Sequence, residues 1–122
     1  PHTKEYISGL LQGLCKITDA KIVLTGICFN KGEIGVACLD GEKSEYVFTP
    51  LVDAAYHGTG DIFASTLIAA ILNGKPLKEA ALIAAKYTSG CIKLTKEQYP
   101  QMKYGVNFEA EIPNLLKLLE KI

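Results

Sequence analysis

A chain of 122 residues with 48% hydrophobic and 21% charged side chains has the composition of a folded globular domain, enough for one core but short for an enzyme with two substrates. Its 13 basic residues balance its 13 acidic ones, so no net field draws it to nucleic acid or to an anionic membrane surface. All 13 basic residues are lysine, so any phosphate held here rests on backbone N–H groups, helix dipoles, lysines or a metal rather than on a guanidinium fork.

The first predicted element is an amphipathic helix over residues 4–17, with Ile7, Leu10, Leu11, Leu14 and Ile17 at helical spacing. Ile22-Val23-Leu24-Thr25 reads as a buried strand of the parallel type. Residues 34–39 and 46–52 are β-rich and flank Asp40-Gly41, a hairpin signal. The second half is helical. Residues 61–72 are apolar or small at nearly every position, which predicts a helix buried on most sides. Asn73-Gly74 stops it, and Pro76 suits the first turn of the next helix, over residues 77–94. Residues 98–105 have turn composition, and residues 108–119 close the chain as a helix. The order predicts an α/β layer.

Cys15, Cys28, Cys38 and Cys91 form no Cys-x-x-Cys pair, and His2 and His57 stand at no zinc spacing from them. Reduced, mostly buried thiols in a cytoplasmic protein are the expectation, with no metal held by these side chains. The most apolar stretch, residues 62–72, is too short to span a bilayer, so no membrane partner is expected.

The segment that carries chemistry is His57-Gly58-Thr59-Gly60-Asp61, between a predicted strand and a predicted helix. Glycines there let a ligand approach the backbone, and first-turn N–H groups lack intrahelical acceptors. With the positive end of the helix dipole they make an anion site. A carboxylate beside such a site can take the proton of an attacking alcohol while the N–H groups stabilise phosphoryl charge. The residues alone leave a second reading open, a turn whose aspartate only stabilises the helix start. A Walker A loop is excluded, because no glycine precedes a Lys-Ser or Lys-Thr pair. A dinucleotide fingerprint fails too, with Phe63 at its third small position.

The wider segment Tyr56-His57-Gly58-Thr59-Gly60-Asp61-Ile62-Phe63-Ala64-Ser65 resembles the signature of pyridoxal and pyridoxamine kinases of the ribokinase superfamily. Tyr104-Gly105-Val106-Asn107-Phe108-Glu109 resembles the ending of bacterial pyridoxamine kinases, and Val23-Leu24-Thr25-Gly26 the strand leading to the family's nucleotide site. The resemblance implies a ribokinase-like α/β/α layered sheet, with residues 1–122 as its C-terminal nucleotide-binding and catalytic part. It implies phosphoryl transfer from ATP, with Mg2+, to the 5′-hydroxymethyl group of a B6 vitamer. By the same resemblance Asp61 is the base and Gly58, Thr59 and Gly60 form the anion hole. Thr25 and Gly26 lie near the nucleotide phosphates, and Val52, Asp53 and Ala54 line the nucleotide pocket. A homodimer is implied for the complete enzyme, and the family's substrate pocket, lid and Asn-x-x-Glu segment are expected in an N-terminal half upstream of residue 1.

Departures from related families narrow the expectation. Sugar kinases of the superfamily resemble Asp-Thr-Thr-Gly-Ala-Gly-Asp here, whereas this chain has Ala55-Tyr56-His57 before the glycine and Thr59 for the alanine. Hydroxymethylpyrimidine kinases share His-Gly-Thr-Gly but follow it with cysteine, where this chain has Asp61. The pyrimidine kinase is the alternative, and a nucleotide-binding fragment without catalysis is a third reading.

Overall fold

The computed structural model describes residues 2–101 and 104–122. The chain divides into two compact units, Pro1–Leu51 and Val52–Ile122, described in turn.

In the first unit, helix α1 (Lys4–Cys15) is followed by strands β1 (Ile22–Ile27), β2 (Glu33–Asp40) and β3 (Lys43–Pro50). Thr3 starts the helix, its hydroxyl accepting the Tyr6 N–H at 3.1 Å. Of the five apolar positions at helical spacing, Ile7 and Leu11 are buried while Leu10, Leu14 and Ile17 remain exposed. Ile7 and Leu11 therefore carry the docking of α1, at about 1.5–3 kcal/mol each for full burial. They pack with Ile22, Ile27, Ala37 and Leu39, and Leu24, Phe29, Tyr46 and Phe48 close round this core.

The sheet has the order β1-β2-β3 and both pairings are antiparallel, which corrects the expectation of a parallel-type β1. A short apolar run reports burial and says nothing of the direction of its partner. The hairpin loop is Gly41-Glu42, since Asp40 pairs with Lys43. Only Gly41, at φ 64°, has the left-handed backbone, so the loop follows the Gly-first II′ pattern one residue beyond the Asp40-Gly41 signal. On β2, Gly35 lies under the Phe48 ring, where a Cβ would come within 2.4 Å of the ring and 2.8 Å of the Val47 carbonyl.

In the second unit, helix α2 (Thr59–Leu72) is followed by α3 (Leu77–Gln98), a 3₁₀ turn (Glu109–Glu111) and α4 (Ile112–Leu118). Helix α2 ends in a Schellman motif. Gly74 has φ 84°, its N–H meets the Ile71 carbonyl at 3.0 Å, and the Lys75 N–H meets Ala70 at 3.1 Å. Pro76 is the N-cap of α3 rather than a first-turn residue, and α3 runs four residues past Leu94. Buried Ala70 and Ala80 let α2 and α3 approach closely, with Ile83 and Leu119 filling the same cluster. Expected to be buried on most sides, α2 buries only Thr66 and Ala70, and Ile68 and Leu72 stay 55% and 80% exposed. Composition shows that the helix has no polar face to turn outward; it does not show how many faces neighbours cover.

The ends of α2 and α4 meet through charge. Glu120 occupies a second Schellman turn at φ 60°, with its N–H on Lys117 and the Lys121 N–H on Leu116. Its carboxylate accepts from Lys75 Nζ at 3.1 Å, and Glu79 stands 3.7 Å from the same ammonium. This hydrogen bond from Lys75 to Glu120 raises the lysine above its ordinary range. No helix among the described residues is long and apolar enough to cross a membrane.

Candidate active site

Helix α2 begins without a side-chain cap. Its N-cap is Gly58, at φ 88° and ψ 0°, a left-handed conformation that costs glycine little and other residues about 1–2 kcal/mol. A serine or aspartate at this position would accept one of the first N–H groups; glycine leaves them open. The Gly58 carbonyl takes the Ile62 N–H at 3.1 Å. Among the described residues, the N–H groups of Thr59, Gly60 and Asp61 have no protein acceptor. The Thr59 hydroxyl turns back on the Tyr56 carbonyl at 3.4 Å, so it does not block the helix end. Gly60 has no positive φ and open space where a Cβ would stand, so the glycine requirement of this turn rests on Gly58.

Asp61 follows in the first turn, exposed to solvent, where the helix dipole favours a negative charge. Among the described residues its carboxylate has no ion pair or hydrogen bond with the protein. Three free donors and a free carboxylate thus share one turn of backbone. That arrangement suits a phosphoryl group bound by N–H donors beside a group able to receive a proton.

The other predicted positions divide between the units. Thr25 and Gly26 sit on β1 at a bulge, exposed, with Thr25 opposite Val36 and Ile27 opposite Gly35. Gly26 is the extra residue, and its φ of 74° is the left-handed backbone of a glycine bulge. In the second unit, Val52, Asp53 and Ala54 lie beyond the end of β3 at Pro50, where a strand running to Val52 was expected. The Ala54 N–H meets the Val52 carbonyl at 2.8 Å, a three-residue turn centred on exposed Asp53.

Asn-x-x-Glu, expected only upstream, does occur at Asn30-Lys31-Gly32-Glu33. There it forms the turn between β1 and β2, with Gly32 at φ 87° and the Glu33 N–H on the Asn30 carbonyl at 3.3 Å. Among the described residues, no three His, Cys, Asp or Glu side chains converge as a metal site. The first turn of α2 fits a phosphate, and the described side chains do not by themselves make a magnesium site.

The side chains that anchor the Tyr104 segment belong to no motif in the sequence. Asn107 donates its N–H to buried Thr95 at 2.8 Å, and Tyr87 donates its hydroxyl to the Phe108 carbonyl at 2.7 Å. Burial raises the Tyr87 phenol above its ordinary range and, with Glu111 nearby, raises the Cys91 thiol to about 11. The available signal was the spacing Tyr87, Cys91, Thr95, one stripe of α3. Tyr104 itself stacks on His57, with ring centroids 6.2 Å apart and planes at 18°.

This turn, opening a helix after an antiparallel hairpin, coincides with a family match over residues 1–107, to the model described as phosphomethylpyrimidine kinase. The chain belongs to the phosphomethylpyrimidine kinase family. Solved structures share its ribokinase-like α/β fold. A protein from Bacteroides thetaiotaomicron, assigned as a phosphomethylpyrimidine kinase, is 24% identical with a TM-score of 0.84, covering 94% of this chain and 40% of its own. Its orthorhombic crystal form with pyridoxal gives 22% identity and a TM-score of 0.73, over 98% and 42% of the two chains. Pyridoxal kinase from Lactobacillus plantarum is 26% identical with a TM-score of 0.73, over 84% and 37%. The chain therefore spans about 40% of the length of the first of these structures. No curated protein matches the sequence.

Proposed function

We propose that this chain supplies the phosphate-binding and proton-accepting part of an ATP-dependent kinase that phosphorylates the 5′-hydroxymethyl group of a B6 vitamer. The observation that carries the reading is the start of α2, where Gly58 leaves three N–H groups free beside the unpaired Asp61 carboxylate. The substrate hydroxyl attacks the γ-phosphorus of ATP, the bond to the bridging oxygen of ADP breaks, and the hydroxyl proton passes to Asp61. The N–H groups of Thr59, Gly60 and Asp61 receive the phosphoryl oxygens as charge shifts among them. Magnesium, when bound to ATP, would offset phosphate charge.

A B6 vitamer is favoured by the Gly-Thr-Gly-Asp turn together with the Tyr104-Gly105-Val106-Asn107-Phe108-Glu109 segment. A 26% identical relative is a pyridoxal kinase, and the Bacteroides relative has a crystal form with pyridoxal. On the same reading the complete enzyme is a cytoplasmic homodimer, with Val52, Asp53 and Ala54 beside the nucleotide. The family description names a phosphomethylpyrimidine kinase, which supports the second reading, a kinase of the pyrimidine type. Phosphorylation rates in the intact enzyme with pyridoxal, pyridoxamine, pyridoxine, hydroxymethylpyrimidine and ribose decide between them. The fastest turnover per KM on a B6 vitamer supports the proposal. Preference for the pyrimidine transfers it to the second reading, and preference for ribose contradicts both.

A further inference from the structure

We infer that Tyr104 is a positioning residue for the phosphate-binding turn, acting through its ring contact with His57. The inference rests on the reading of Gly58 to Asp61 as a phosphate site. Among the described residues, residues 52–58 carry only local hydrogen bonds: the Ala54 N–H to Val52, the Thr59 hydroxyl to Tyr56 and the Ile62 N–H to Gly58. Among the described residues, the His57–Tyr104 stack is the one hydrogen-bond or ring contact tying this turn to a part of its unit beyond α2. Gly58 and Gly60 lower the cost of other backbone conformations, so the turn needs an external restraint to keep its N–H groups aimed together.

Tyr104 can supply that restraint because the residues after it are fixed. Asn107 is held by Thr95, which is fully buried, and Phe108 is held by Tyr87. From Thr95 the connection runs through Asn107 and Tyr104 to His57, the residue preceding Gly58. Both rings lie near the surface, and Tyr104 is 80% exposed. A solvent-facing aromatic pair of this kind has little to offer the core. Its consequence falls on the turn it holds.

The test is a double-substitution cycle in the intact enzyme, with ADP binding, KM for ATP, kcat and melting temperature measured on each variant. Tyr104→Ala and His57→Ala each weaken ADP binding and raise KM for ATP about three- to tenfold, the scale of one aromatic pair, with kcat changed less. The double variant is no worse than either single one, because both break the same contact. Tyr104→Phe restores wild-type values, since the ring suffices. Equal KM in Tyr104→Ala and Tyr104→Phe overturns the inference, as does additivity of the two alanine variants or an effect that follows melting temperature alone. A wild-type enzyme that neither binds ADP nor transfers phosphate overturns the phosphate-site reading beneath it, which separates the two failures.

Discussion

The hydroxyl of Thr95 accepts the backbone N–H of Asn107 at 2.8 Å while donating its own proton to the Cys91 carbonyl at 2.7 Å. One fully buried side chain thus saturates itself within α3 and fastens a segment twelve residues away. Removing it leaves a donor without a partner, and that outweighs the loss of the hydroxyl's own bond. Thr95→Val keeps the shape and deletes the acceptor. It lowers stability by about 1–3 kcal/mol in denaturant titrations, while Thr95→Ser loses less.

A second prediction concerns the glycine under Phe48. A methyl group at Gly35 overlaps the Phe48 ring and the Val47 carbonyl, and the carbonyl, being part of the β3 ladder, cannot yield without loss of pairing. Gly35→Ala destabilises by about 1–3 kcal/mol, the usual range for overpacking. Adding Phe48→Leu recovers part of the loss. A neutral Gly35→Ala in thermal melts contradicts the packing described.

Alkaline stability depends on the buried thiols. Burial, with Glu45 adding to it at Cys38 and Glu111 at Cys91, raises both thiols from 9.0 to about 11. A raised thiol keeps its proton longer in the folded chain than in the unfolded one. Its stabilising contribution is complete below pH 9 and is lost as pH rises toward 11. The denaturation midpoint falls across that window, and Cys38→Ala with Cys91→Ala flattens the fall.

The turn before α2 gives a fourth prediction. Gly58 at φ 88° is the residue whose backbone no L side chain adopts cheaply. Gly58→Ala strains the turn by about 1–2 kcal/mol. It weakens ADP binding more than it lowers the melting temperature, because on the proposed function the N–H groups of this turn hold phosphate while the turn buries little core. Gly60→Ala, with open space and ordinary φ, disturbs the backbone less. ADP titrations of both variants check the contrast.

The residues made some of this legible and concealed the rest for physical reasons. Ile7 and Leu11, the start of α2 beside Asp61, and the stop at Asn73-Gly74 follow from local periodicity and capping chemistry. The antiparallel pairing of β1 did not follow, because strand direction is set by a partner and leaves no mark on Ile22-Val23-Leu24. The bulge at Gly26 was hidden for the same reason, a positive φ being visible only once the register is known. Thr95 and Tyr87 look like ordinary helix residues until the Asn107 and Phe108 backbone arrives beside them.

On the proposed function Asp61 receives the substrate's proton, and Asp61→Asn removes that acceptor. The substitution keeps size and helix position while removing the basic oxygen, in a first turn where the side chain has no protein partner among the described residues. In the intact enzyme, kcat for phosphorylation falls by about a hundred- to ten-thousand-fold while the melting temperature and ADP affinity hold. Near-normal turnover in Asp61→Asn, or a loss that tracks unfolding, contradicts the account.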